Sequence, residues 1–364
     1  MRGLRLVLLS AAVAGMACTH AVEAERLGDH DWQRAVARRG VDPADAVNPF
    51  DTSPAMAEWT AEVLQGRLGD GSLSQLYAIQ DALFASDFGF AYDADLTLTA
   101  AEAFARRRGN CLSFTVMFIA MARSVGIDTF LMSVRREPGV DRADDLVVIN
   151  RHVVAGYRGG ASEVTVFDFF ITSSSPYIQR RVIDDIEATA MYHTNLGGAA
   201  IRDGDLDRAV HQLSIATALA PDWAPGWINL GVTRYRLGDT DAAFDAYRRA
   251  LEAEPQNASA LTNMAFMYRE LGRDREAENA LRAAAHQTTN PFTLIAMADV
   301  EMLAGRRGSA ARYLRKARRW YGDQPEVYDA LARLAAVRGD ESALEKHRRR
   351  AAELRASASQ PPAD

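Results

Sequence analysis

The chain has 364 residues, of which 48% are hydrophobic and 25% charged; at roughly 150 residues per domain that suggests two globular domains and excludes wholesale disorder, collagen and a membrane channel. A net charge of −6 leaves no basic footprint for nucleic acid. The two cysteines, Cys18 and Cys111, make neither a disulfide framework nor a zinc cluster.

The chain opens with a basic start, Arg2 and Arg5, and an apolar run from Leu6 to Met16. That is a secretory signal, too short to span a bilayer as a mature helix. The run ends in Gly15-Met16-Ala17-Cys18, which resembles a bacterial lipobox, with glycine where leucine is usual at the third position before the cysteine. The resemblance implies a signal peptide over 1–17, lipidation of Cys18 as the new first residue, and a lipidated linker over 18–24. It also implies a periplasm-facing lipoprotein of the bacterial cell envelope, on the outer rather than the inner membrane. Stable anchoring takes two or three acyl chains, since one is marginal. Plain cleavage at Ala17 or Ala24 would instead give a soluble periplasmic protein.

Residues 25 to 90 read as helical. Ser72 and Gln75 form a capping box ahead of Leu73, Leu76, Ile79, Leu83 and Phe84 at helical spacing. Thr99 and Glu102 form a second, opening a short helix through Arg108 that Gly109 ends. The stretch from Asn110 to Gly126 is helix-length and apolar nearly all round, so it predicts a buried central helix with Cys111 in its first turn. A helix N-terminus carries about half a positive charge and free N–H groups. Both favour a thiolate, and the Cys111 amide can receive an oxyanion.

Val147 to Tyr157 reads as a strand and Glu163 to Ile171 as the next, with Arg158-Gly-Gly-Ala-Ser162 as the turn. Centring the hairpin on Gly160 makes paired residue numbers sum to 320 and sets His152 opposite Asp168. Val154 then meets Val166, Val153 meets Phe167 and Ile149 meets Ile171. A Gly159-Gly160 turn would give 319 and put Asp168 on the other face; the apolar pairs favour 320. Cys111, His152 and Asp168 then supply a nucleophile, a base and an orienting carboxylate in chain order.

The stretch from about Tyr92 to Phe170 resembles the transglutaminase-like superfamily of papain-type folds. The residues that carry the resemblance are Thr99-Ala-Ala-Glu102, Arg108-Gly-Asn-Cys111-Leu-Ser-Phe-Thr115, Arg151-His152-Val-Val and Val166-Phe-Asp168. It implies an α+β catalytic domain over 25–187, with a cysteine helix on a small antiparallel sheet and a Cys111–His152–Asp168 triad. Crosslinking members commonly have tryptophan after the cysteine and a tryptophan shielding the thioester. Here Leu112 follows Cys111, and no tryptophan occurs between Trp59 and Trp223. Shielding lets an amine compete with water, so its loss favours hydrolysis, unless Tyr92 or Phe170 takes that place. Arg135 to Asp145 reads as a charged loop entering the histidine strand.

The C-terminal half repeats. Gly204, Gly238, Gly272, Gly305 and Gly339 are spaced 34, 34, 33 and 34 apart, with Ala209, Ala243, Ala277 and Ala310, then Ala216, Ala250, Ala284 and Ala317, in phase. This pattern resembles the tetratricopeptide repeat, most fully in Trp227-Ile-Asn-Leu230-Gly231 through Pro255. The resemblance implies an all-α solenoid over 190–353, of four clear units and a degenerate fifth whose Arg348, Arg349 and Arg350 suit a capping helix. The concave face of such an array binds a peptide or protein partner. Glu187 to Met191 reads as the linker, the alternative being that the first repeat helix, apolar at Met191, Leu196 and Ile201, packs on the catalytic sheet and completes its core; 356–364 reads as a disordered tail.

The sequence therefore predicts an envelope-anchored cysteine peptidase or amidase whose repeats recruit a protein or peptide partner. The alternatives are a transamidase using an amine acceptor and a non-catalytic adaptor. No cofactor is implied. His193, His211, His286 and His347 fall on repeat helices without metal-ligand clustering, so no metal site is assigned, and membrane contact is expected through the lipid anchor only.

Overall fold

The computed structural model describes residues 28–135, 140–143, 146–149, 152–159, 164–168, 179–287 and 291–358. The signal segment with Cys18, the turn residues 160–163, Phe170, Ile171 and the tail 359–364 lie outside the described residues.

Three helices come first: α1 (Asp29–Arg38), α2 (Pro54–Val63) and α3 (Ser72–Phe84). The expected box at Ser72 and Gln75 does not form. Gly71 is the N-cap without a side-chain bond, and the buried Gln75 amide instead donates to the carbonyls of Arg67 and Asp70, 3.1 Å each. Then follow β1 (Ala91–Tyr92), α4 (Ala100–Arg106), β2 (Arg108–Gly109) and α5 (Cys111–Ser124). The Thr99–Glu102 box opens α4 as expected. The helix stops earlier than expected, at Arg107, which takes a left-handed conformation with φ 50°. Its guanidinium bonds the Asp87 carbonyl at 2.9 Å and lies over the Phe88 ring, which holds it there. Helix α5 is buried without interruption from Leu112 to Ala122.

The next strands are β3 (Thr129–Arg135), β4 (Val140–Ala143), β5 (Leu146–Ile149), β6 (His152–Arg158), β7 (Val164–Phe167) and β8 (Gln179–Ile183). One antiparallel sheet runs β7-β6-β3-β8, and β4 pairs with β5 separately. The single strand expected over 147–157 is thus two strands, and the expected loop over 135–145 contains β4. The cause is the partner strand: Val134 pairs with His152 at the end of the β3–β6 ladder, so 146–149 pair with 140–143 instead. The β6–β7 register also differs from expectation. Ala155 pairs with Phe167 and Gly156 with Val166, a sum of 322. The shift sets the bulky Phe167 opposite a small residue, with its ring 5.0 Å from Phe118 and 5.3 Å from Tyr77. A shift of two preserves the alternation of faces, so Asp168 keeps the face of His152 and lies diagonal to it.

The rest is helical: α6 (Asp185–Asp203), α7 (Leu206–Leu219), α8 (Ala224–Arg236), α9 (Thr240–Ala253), α10 (Ala258–Glu270), α11 (Asp274–Gln287), α12 (Pro291–Leu303), α13 (Arg307–Tyr321), α14 (Pro325–Arg338) and α15 (Glu341–Ala358). The five repeat glycines all have φ between 69° and 80°, ending the first helix of each pair. The in-phase alanines are buried. Gly231 admits the ring of Tyr247: a Cβ there would stand 2.6 Å from it. The expected linker at Glu187–Met191 is not a linker but lies inside α6. Ala188, Met191 and Tyr192 of that helix belong to the same core as α5, together with Trp223. A second core joins Trp32 and Val36 of α1 to Ile186, Ala190, Ile215 and Leu219, and buried His193 accepts the Val47 N–H at 3.1 Å. Helix α15 continues through Ala358, past the start expected for the tail.

Candidate active site

Cys111 is the first residue of α5, and the start of that helix is held tightly. Asn110 is the N-cap: its Oδ1 accepts the Ser113 N–H at 3.0 Å and its Nδ2 donates to Thr97 at 2.7 Å. The Ser113 hydroxyl accepts the Leu98 N–H at 2.7 Å and bonds the Leu96 carbonyl at 3.3 Å. A Cβ on Gly109 would stand 2.7 Å from that of Ser113, so the segment preceding the cysteine packs directly on the helix. Asn110 and Ser113 do not figure among the residues expected at the site. Their signal is an asparagine, a strong N-cap former, immediately before the apolar helix. In the first turn, N–H groups have no intrahelical acceptor; the amide of Cys111 lies there, and no second oxyanion donor is assigned.

The structure brings Cys111, His152 and Asp168 to one cleft. His152 Nε2 lies 2.9 Å from Asp168 Oδ1, with the two side chains 19% and 14% exposed. Cys111 lines the same cleft, near enough to His152 to bear on its charge. Since Nε2 is taken by the carboxylate, Nδ1 is the nitrogen left for the thiol. Burial by itself pushes the imidazole pKa down. The Asp168 hydrogen bond, the nearness of Cys111 and the charges of both outweigh it and raise His152 from its ordinary 6.5 to about 9. The Thr115 hydroxyl, one turn along α5, reaches the Val153 carbonyl at 3.4 Å and ties helix to strand beside the histidine.

The cleft is walled by aromatics. Phe84, Phe90, Tyr92 and Phe114 line it with Val153. Phe84 stacks on Phe114 at 5.4 Å, and Phe90 meets Phe114 edge-on at 4.7 Å. Of the two aromatics expected as shields, Tyr92 is there, half exposed, while Phe170 lies outside the described residues. The Tyr92 hydroxyl pKa is raised, first by burial and then by negative charge on Cys111. Phe84, Phe90 and Phe114 went unread in the sequence because at helical spacing they look like core. Among the described residues no group of three or more His, Cys, Asp or Glu could hold a metal ion, and no helix is long and apolar enough to cross a membrane.

Comparison with known proteins agrees with both halves. Residues 58–155 match the family described as Transglutaminase-like superfamily, and residues 234–291 match Tetratricopeptide repeat. The chain carries a transglutaminase-like domain followed by tetratricopeptide repeats. The heat shock protein sti1 homolog of Schizosaccharomyces pombe is 29% identical over 106 residues, 29% of this chain and 17% of that protein. The co-chaperone sgt12 of Aspergillus fumigatus is 29% identical over 72 residues, 20% of this chain and 21% of that protein. The chain thus spans about a fifth of the length of the curated relatives it matches. Among solved structures, Pseudomonas aeruginosa pilF is 23% identical with a TM-score of 0.41, covering 45% of this chain and 76% of its own. PilW, a widely conserved type IV pilus biogenesis factor, is 20% identical with a TM-score of 0.40, covering 45% and 77%.

Proposed function

We propose that this chain, a transglutaminase-like domain joined to tetratricopeptide repeats, is a thiol hydrolase of peptide or amide bonds. The observation that carries the reading is that Cys111, at the N-terminus of α5, shares one cleft with the hydrogen-bonded His152–Asp168 pair. Cys111 Sγ attacks the carbonyl carbon as its proton passes to His152. The C–N bond breaks, His152 returns the proton to the leaving amine, and a thioester remains on Cys111. Water, deprotonated by His152, then cleaves the thioester to acid and thiol. Asp168 orients the imidazole and stabilises its charged form. The amide of Cys111 receives the oxyanion.

Transamidation is the second reading, and the aromatic walls favour it. Phe84, Phe90 and Phe114 keep water from the thioester. Hydrolysis is preferred because Tyr92, 52% exposed, borders the cleft at an open surface. Adding a primary amine to the acyl-enzyme and measuring how the thioester partitions separates the two.

A reactive-thiol probe tests the core of the reading. Labelling of Cys111 that is lost in His152→Ala supports it; slow labelling indifferent to that change points to a non-catalytic adaptor. The array serves as the surface that recruits a protein or peptide partner. Cys18 serves as the lipid anchor to the bacterial envelope, and Cys18→Ser is expected to move the protein from the membrane fraction to the soluble periplasm.

A further inference from the structure

Between β3 and β6 the chain makes an excursion that the sheet does not require. Val134 pairs with His152, so the two strands already lie side by side there, and antiparallel neighbours commonly close with a loop of about two to five residues. Residues 136–151 intervene instead. Within them β4 and β5 form a hairpin of their own, from Val140↔Ile149 to Ala143↔Leu146, outside the main sheet. Strand β5 lies against α8 and α10.

Those two are first helices of adjoining repeats. Successive first helices pack on one another, α6 on α8, α8 on α10, α10 on α12 and α12 on α14, and so make the inner wall of the solenoid. The hairpin is therefore docked on the inner wall. The part that docks, Leu146-Val-Val-Ile149, is apolar and largely β-branched, suited to an extended segment laid on a helical surface.

We propose that the β4–β5 hairpin is a built-in occupant of the partner surface, and that a protein partner presenting an extended apolar segment reaches α8 and α10 by displacing it. Ile149 is three residues from His152, so displacement is transmitted to the histidine end of β6. Occupancy of the repeats is thereby coupled to the Cys111 cleft. The inference rests on reading the array as the recruiting surface and does not depend on which reaction Cys111 performs. A tethered segment acts at an effective concentration of about millimolar. A free copy of it competes poorly with the intact chain and binds freely once the hairpin is gone.

The test replaces residues 137–150 of the full chain by Gly-Ser-Gly-Ser, which the β3–β6 register can accommodate, and measures binding of a labelled peptide of residues 140–149. The shortened protein should bind it at least about tenfold more tightly than the intact chain. Equal binding, or no binding to the shortened protein, overturns the proposal. A second measurement needs no deletion. Val147→Asp together with Val148→Asp places a charge on each face of β5, and hydrogen exchange should then quicken over 140–149 while α5 stays protected. Unchanged protection over 140–149 overturns the docking. The alkylation rate of Cys111 should differ at least threefold between shortened and intact protein; an equal rate overturns the coupling. A Cys111 inert in both defeats the catalytic reading and the coupling together, while the peptide measurement still decides whether the hairpin occupies the partner surface.

Discussion

At the scale of single residues, Asp168 has two effects on His152: it fixes which nitrogen faces the thiol, and it holds the proton on the ring. Asp168→Asn keeps the shape, loses the charge and offers an amide that can stabilise the wrong tautomer. Turnover should fall by roughly three to four orders of magnitude, with exposed Asp222→Asn unchanged. Asp185 would mislead as a control, since its carboxylate bonds Arg123 through two contacts of 2.9 Å in a buried pair. The raised His152 pKa has a thermodynamic consequence with a definite sign. Folding strengthens proton binding, so this contribution to stability is complete below the ordinary value of 6.5 and is lost as pH rises through about 9. The Tm advantage of the native chain over His152→Gln should therefore shrink across that window, and a pH-independent difference would count against the raised pKa. Cys111→Ala removes one of its causes, so the imidazole titration followed by NMR should move down.

At the scale of elements, what could be read from the sequence depended on how local the cause was. The Thr99–Glu102 box is made by two side chains three residues apart and was legible; the Ser72–Gln75 box was not, because distant carbonyls claim the Gln75 amide. The cysteine helix was legible from its apolar length. The hairpin register came out two residues off because alternation has a period of two and is satisfied by 320 and 322 alike, whereas the choice depends on Phe167 finding Ala155. That same periodicity keeps His152 and Asp168 on one face, so their contact survives the error although they stand diagonal rather than directly opposed. The break between β5 and β6 left no local mark, since an apolar run does not reveal which strand it will pair with. In the repeats the small residues were legible, and their packing can be tested. Alanine in place of a helical glycine gains about 1 kcal/mol, but at Gly231 the new Cβ would stand 2.6 Å from the fully buried Tyr247 ring. Overpacking costs about 1–3 kcal/mol, so Gly231→Ala should be a net destabilisation. Gly198→Ala, whose nearest neighbour is 3.7 Å away, should stabilise. Urea midpoints of the two variants check the pair, and the same sign for both would refute the packing argument.

At the scale of the whole molecule the question is where the first domain ends. The sequence places a linker at Glu187–Met191, so that a fragment of residues 25–186 would fold alone, with a first repeat helix that completes the catalytic core as the alternative. The packing favours the alternative. Ala188, Met191 and Tyr192 of α6 and Trp223 beyond α7 complete the core that buries α5. Trp32 donates to Thr189 at 3.1 Å across the same seam, and the buried Arg123–Asp185 pair pins the start of α6 to the end of α5. Losing a large buried side chain costs about 2–5 kcal/mol. Removing Met191, Tyr192 and Trp223 together therefore approaches the whole stability of an ordinary domain, about 5–15 kcal/mol. The fragment 25–186 is expected to be aggregated or molten, with Cys111 alkylated no faster than in His152→Ala. A fragment of residues 25–236, which keeps α6, α7 and α8, should regain a cooperative melt and a His152-dependent thiol, because repeat units beyond it contact chiefly their neighbours. Circular dichroism melts and alkylation rates of the two fragments decide the matter. A cooperative melt of 25–186 at the temperature of the longer fragment would mean that α6 is dispensable to the catalytic core and that the boundary lies where the sequence alone suggests.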